Sequence, residues 1–117
     1  MEEVLELFTK KIKNFELTHS EIKIYSLLLK EELTPRQIAK KVGLSERIVR
    51  EKLKHLLELG LIERNLIKQG WLGYIYRAKN PKEALKSVFS KMEELLGLLE
   101  EEYKKYSKNH LFPQGGL

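Results

Sequence analysis

The sequence has no cysteine. That removes disulfides, thiolate metal sites and cysteine nucleophiles together, and fits a reducing, cytoplasmic location. Aspartate is missing too, so all 17 acidic residues are glutamate. A Glu/Lys-rich chain without cysteine has a composition reminiscent of thermophiles. The histidines, His19, His55 and His110, are scattered and offer neither metal-ligand spacing nor a catalytic cluster. His55 reads as an ordinary histidine on a helix surface. No phosphate loop and no paired carboxylates are visible. Long apolar runs are lacking as well: Leu27–Leu29 and the Leu95–Leu99 cluster fall far short of the ~20 residues that span a bilayer. The acidic start Met1-Glu2-Glu3 does not read as a signal peptide. These absences argue against an enzyme, a metal sensor and a membrane protein, with no cofactor expected.

What is present suits one soluble domain. The chain has 117 residues, 42% hydrophobic and 33% charged, enough to bury its own core. The net charge of +5 is unevenly spread. Residues 1–17 carry −1, residues 18–79 carry +6 and residues 80–117 are neutral. The middle segment would attract a phosphate backbone, and the flanks suit protein contacts.

Helix starts are written in capping residues. Thr18-His19-Ser20-Glu21 and Thr34-Pro35-Arg36-Gln37 are capping boxes. Asn80-Pro81-Lys82-Glu83 puts Pro at a first helical position, as Thr34-Pro35 does. Ser45, after the Gly43-Leu44 turn, caps another helix. The spacing predicts helices from about His19 to Glu31, Pro35 to Val42 and Glu46 to Leu59, with Gly60 as a left-handed C-cap. Ile24, Tyr25, Leu28, Ile38, Val42, Val49, Leu53, Leu56 and Leu57 face inward. A first helix is read from Val4, Leu5, Phe8, Ile12 and Phe15. Leu61–Ile67 and Trp71–Ala78 read as strands of a hairpin turning at Lys68-Gln69-Gly70. A last helix runs from Pro81 to about Tyr106, with Gly97 off its apolar seam.

This order, with three helices followed by a two-stranded ribbon, is a winged helix-turn-helix, mainly α with a small β-hairpin wing. The domains expected are an N-terminal helix (1–17), the winged unit (18–79), a long pairing helix (80–108) and a flexible tail (109–117). A helix fits the major groove, and the N-terminal half of the fourth helix would meet base edges. With Val49, Leu53 and Leu56 inward, its other face shows Ser45, Glu46, Arg47, Arg50, Glu51 and Lys54. Arg47 and Arg50 suit guanine, since a guanidinium bonds its edge at two points, and Glu46 suits a cytosine amine. Thr34, Arg36 and Gln37 open the preceding helix, where backbone N–H groups favour a phosphate, and Lys40 and Lys41 add charge. Arg64, Lys68 and Gln69 on the wing are candidates for the flanking backbone.

Residues 17–78 resemble the DNA-binding domain of archaeal TrmB-like regulators, within the broader MarR/ArsR winged-helix group. The resemblance rests on Leu17-Thr18 with Glu21 to Tyr25, Leu33-Thr34 with Gln37-Ile38-Ala39, and Val42 to Ser45. It continues through Leu53 to Leu56, Leu59 to Arg64, and Tyr76-Arg77-Ala78 followed by Asn80 to Leu85. It implies a DNA-binding transcriptional regulator. Larger family members continue into a sugar-sensing domain, so no comparable effector site is expected in this chain. The wing departs from the family's Arg-rich tip, having Gly70-Trp71-Leu72-Gly73 beside Leu66 and Ile67. An apolar wing of this kind suits packing on its own domain or a partner, and Trp71 reads as core or interface.

The last helix carries a near-heptad stripe of Leu85, Val88, Phe89, Met92, Leu95, Leu96, Leu99 and Tyr103. A helix of about 26 residues reaches roughly 39 Å, longer than one small domain covers. The expectation is a homodimer on double-stranded DNA, with two reading helices about 34 Å apart over a palindromic site. The alternatives are a long helix folded back on its own domain, a winged helix that binds protein, and a sequence-tolerant architectural chromatin protein.

Overall fold

The computed structural model describes residues 2–68, 70 and 72–110, the side chains of residues 109 and 110 excepted. Gln69, Trp71 and the expected tail beyond residue 110 lie outside the described residues. The elements are α1 (Glu2–Ile12), a 3₁₀ turn (Lys13–Phe15), α2 (His19–Leu28), α3 (Pro35–Val42) and α4 (Glu46–Glu58). They continue with β1 (Ile62–Lys68), β2 (Leu72–Ala78) and α5 (Pro81–His110).

The helix starts are held by the caps read from the sequence. Thr18 and Thr34 each accept from the backbone N–H three residues on, and Glu21 and Gln37 reach back to the cap N–H. Ser45 Oγ accepts from Ile48 N at 3.2 Å, and Asn80 Oδ1 from Glu83 N at 2.9 Å. Gly60 has φ +74°, a left-handed conformation that other residues adopt only with strain. It turns the chain out of α4 into β1.

Two compact units make up the chain, and the first runs from Leu17 to Val88. Its core is Ile24 and Leu28 of α2, Ile38 of α3, and Val49, Leu53 and Leu56 of α4, all at most 2% exposed. Val42 and Leu57 are half-buried. The hairpin pairs antiparallel from Ile62↔Ala78 to Lys68↔Leu72. The Tyr25 hydroxyl donates to Lys79 O at 2.8 Å and ties α2 to the strand exit. α2 ends at Leu28 rather than Glu31. Leu33 is drawn out to pair with Tyr76, N to O at 3.0 Å and 2.8 Å, so the chain leaves the helix early to add a short third rung to the wing.

The second unit is α1 with α5 from Phe89 onward. Here little is covered. Leu95 is buried, while Val4, Leu7, Ile12, Phe15, Leu99 and Tyr103 are half-buried. Leu5 and Phe8, on the apolar face read for α1, are exposed, and Leu7 is half-buried. Spacing names a helix face without saying which part of it a neighbour covers. α5 is one 30-residue helix, so it continues past Tyr106 and through Gly97 without interruption.

Candidate nucleic-acid interface

α4 is amphipathic because its apolar residues recur at 49, 53 and 56, which puts the residues between them on the opposite side. Ser45, Glu46, Arg47, Arg50, Glu51 and Lys54 are all exposed there. The six do not stand in equivalent states. The Ser45 hydroxyl is engaged as the cap, and Arg47 Nη1 lies 3.3 Å from Glu51 Oε1. That contact is open to water and worth about 0.3–0.5 kcal/mol, so a ligand displaces it readily. Arg50 and Lys54 have no ion-pair partner among the described residues and keep every donor available.

The phosphate candidates divide in the same way. The Thr34 hydroxyl and the Gln37 carbonyl oxygen are engaged with each other's backbone in the capping box. Lys41 Nζ lies 3.2 Å from Glu31 Oε2. Arg36 and Lys40 have no such partner among the described residues. Arg36 and Glu46 line one shallow hollow with Lys40, and they line a second with Thr34 and Arg50. The N-terminal ends of α3 and α4 therefore bring candidates from both helices to one place.

On the wing, Arg64 lies over the Tyr74 ring with its guanidinium carbon 4.0 Å from the centroid. A hydrogen bond with Tyr76, opposed by some desolvation and helped by both tyrosines, raises its pKa. Stacking on an aromatic face limits the arcs the guanidinium can sweep. Lys68 is exposed. Arg77 instead serves structure, bridging to its cross-strand neighbour Glu63 at 2.5 Å.

One feature of the site is not visible in the sequence. Glu21 is 3% exposed, and its Oε2 meets His55 Nδ1 of α4 at 2.5 Å. Its other oxygen accepts from Thr18 N at 2.8 Å. Burial works to raise the Glu21 pKa, but the Thr18 N–H and His55 outweigh it and hold the carboxyl below its ordinary value. Lys52 Nζ donates to Thr18 Oγ1 at 3.2 Å. His55 is thus a half-buried strut rather than a plain surface histidine, and with Lys52 it braces α4 against the start of α2. The capping box marked Glu21 as an N3 residue, but no local signal pairs it with a histidine 34 positions away.

Among the described residues, no three His, Asp or Glu cluster in a way that would hold a metal, and no helix is long and apolar enough to cross a membrane. The fold has clear relatives. A possible transcriptional regulator from Methanosarcina mazei superposes with TM-score 0.59 at 17% identity, covering 90% of this chain and 87% of that one. The adhesin competence repressor of Streptococcus pyogenes gives 0.53 at 18% identity over 94% and 83%. ZitR of Lactococcus lactis gives 0.53 at 21% identity over 80% and 62%. At these identities the likeness establishes the winged-helix fold. No curated protein sequence matches this one significantly. Residues 12–82, more than half the chain, match the model of the sugar-specific transcriptional regulator TrmB. The chain therefore belongs to the TrmB family of transcriptional regulators.

Proposed function

We propose that this protein is a sequence-reading DNA-binding regulator of transcription that acts as a homodimer on a palindromic or nearly palindromic site. The observation that carries the reading is the division of α4. One face is core, and the other presents Arg50 and Lys54 unpaired beside a weakly tethered Arg47. Arg47 and Arg50 stand three residues apart, on one side of the helix and near its start, the part of a recognition helix that meets base edges. Each can take a guanine O6 and N7 together, and Glu46 can accept from a cytosine amine. Ser45 stays the cap and contributes through its free hydroxyl proton. Arg36 and Lys40, with Thr34 and Gln37 at the start of α3, meet the phosphates. Lys41 joins them once it leaves Glu31, and Arg64 and Lys68 extend the contact along the wing. Residues 18–79 form the reading domain in this scheme.

Dimerisation rests on α5. At 30 residues it is roughly 45 Å long, and Leu85, Phe89, Met92 and Leu96, spaced four, three and four apart, are exposed. A stripe of that size on one helix calls for a covering surface. A second α5 supplies one with the same spacing, with Val88, Leu99 and Tyr103 at its borders. Leu95 is already buried within the single chain and supports this surface from behind. Residues 80–108 are thus the pairing segment. A dimer resident on the chromosome places this protein with the nucleoid.

Selecting bound duplexes from a random pool tests the reading. An enriched motif with two-fold symmetry is expected, and R47A/R50A should lose that motif while melting like the parent. Removing one bidentate arginine–guanine pair costs about 1–3 kcal/mol of discrimination. A pool that enriches no motif, or a double variant that keeps its operator affinity, would overturn it.

A further inference from the structure

α4 is held in the first unit by two chemically different kinds of contact. Its inner face, Val49, Leu53 and Leu56, is apolar and buried. Apolar packing is non-directional, so it fixes the depth of the helix better than its rotation. Between that face and the exposed one lies a flank with Lys52 and His55, three residues apart on one side of the helix. Lys52 Nζ donates to Thr18 Oγ1 at 3.2 Å, and His55 Nδ1 meets Glu21 Oε2 at 2.5 Å. Both partners belong to the capping box that starts α2. There Thr18 Oγ1 also accepts from Glu21 N, and Glu21 Oε1 accepts from Thr18 N, so the anchor for the flank is itself fixed.

Two-point recognition of a base edge by a guanidinium is unforgiving of orientation. Such contacts need placement within about 0.5 Å and 10–20°. Hydrogen bonds from the flank are directional and resist rotation of α4 about its axis. We propose that Glu21 and His55 are positioning residues for DNA reading: with His55 charged, the pair holds α4 at the angle from which Arg47 and Arg50 reach base edges, and loss of that charge relaxes the angle. This rests on the reading that α4 faces DNA. Both residues act through the helix, on the flank beside the reading face rather than within it.

The pair can respond to pH because its members differ in access to water. The His55 side chain is 24% exposed and that of Glu21 is 5% exposed. Burial opposes ionisation of Glu21, but the Thr18 N–H and His55 outweigh it, so the carboxylate persists through neutrality. An imidazole changes charge between about pH 5 and 8. Protonated, the ring makes a charge-assisted bond to the carboxylate; neutral, it donates more weakly through Nδ1–H. Carboxylates, ammonium groups and phenols ordinarily keep one charge state across that window. On α4 these neighbours are Lys52, tied to Thr18, Glu51, paired with Arg47, and the exposed Glu58. On α2 the neighbour is Tyr25, whose pKa burial raises and whose hydroxyl donates to Lys79 O. Specific binding needs the held angle, whereas non-specific binding needs only phosphates. Specific binding therefore takes up protons relative to non-specific binding, and discrimination falls as pH rises.

The test uses the full chain, a duplex recovered from the selection and a random-sequence duplex of equal length. Affinities are measured at one salt concentration from about pH 6 to about pH 8.5, with each variant shown to be folded by circular dichroism. The parent's affinity ratio between the two duplexes should fall by about three- to tenfold over that range. E21Q and H55Q should start about tenfold lower in ratio and show no such fall, while binding the random duplex nearly as the parent does. H55Q keeps His19 and His110, so it isolates the titration of His55. H55K carries a cation that does not titrate in this range and should hold the parent's acid-side ratio throughout. A parental pH profile in H55Q, or a parental ratio in both E21Q and H55Q, overturns the proposal. So does H55K falling to the H55Q level, which would reduce the histidine to a matter of shape. Were E21Q not to fold, the two histidine variants would decide. A parent protein that prefers neither duplex would instead overturn the reading of α4 itself.

Discussion

The unit from Leu17 to Val88 and the unit made of α1 and the outer part of α5 handle their apolar residues in opposite ways. In the first, five side chains from three helices, Ile24, Ile38, Val49, Leu53 and Leu56, are essentially inaccessible. In the second, Leu95 is the one buried apolar side chain among the described residues, while Leu5, Phe8, Phe89, Leu96 and Leu98 are exposed. Both units are amphipathic by sequence, so amphipathicity alone does not make a core. The first unit has three helices and a hairpin around one small closed cluster, although Ile22, Leu29, Leu66, Leu72 and Leu85 stay exposed on its surface. A long helix with one short helix cannot enclose its own stripe. The first unit closes over a core, and the second leaves most of its apolar stripe open.

The sharpest way to break this comparison is to open the closed core. Leu53→Ala should cost about 2–5 kcal/mol, read from the midpoint of chemical denaturation. A cost below about 1 kcal/mol would mean that the core is looser than its burial indicates. Next comes the open face. F89E/L96E places charge on residues exposed in the single chain, so helicity by circular dichroism should hold. The dimer dissociation constant should nevertheless rise by about a hundredfold or more, because an interface buries those charges. Sedimentation showing the same assembly state for parent and variant would remove α5 as the pairing surface.

The strut between α2 and α4 sets a pH dependence within the closed unit. Glu21 is held below its ordinary pKa in the folded chain. The stability it contributes is therefore complete above the ordinary carboxylate range, and it fades as pH falls through the depressed folded value. E21Q should cost about 1–3 kcal/mol near neutrality and flatten the acid side of the stability profile. An acid limb identical to the parent's would assign that limb to other carboxylates.

The smallest effects contrast two glycines. A Cβ on Gly60 would stand 2.8 Å from Ser87 Cβ at φ +74°, so Gly60→Ala should cost about 1–3 kcal/mol. A Cβ on Gly97 meets nothing within 4 Å, and Gly97→Ala in the helix interior should add up to about 1 kcal/mol. Thermal melts of the pair should therefore move in opposite directions. If Gly97→Ala instead lowered dimer affinity, a close approach of the partner at that position would be the reason.

Legibility followed the range of the interactions. The caps and the left-handed Gly60 depend on residues within a few positions of each other, and each appears in the sequence as a short motif with a physical cause. The hairpin is legible as two strands, but Lys68, expected in its turn, ends β1 and pairs with Leu72. The inward residues of α2, α3 and α4 follow from helix period, and that period also assigned the face carrying Arg47, Arg50 and Lys54. By itself, then, the sequence determined the order of elements, the winged-helix fold and which face of α4 stays exposed. Tertiary structure decided that Lys41 meets Glu31 across the α2–α3 connection, whereas Arg47 and Glu51 are an i,i+4 pair that helix spacing already offers. It also decided three pairings across long separations: Glu21 with His55, Tyr25 with Lys79, and Leu33 with Tyr76. Each of those residues satisfies its local pattern equally well with or without its distant partner. No spacing rule can mark such pairings, since they exist only when packing brings two remote segments within hydrogen-bond reach.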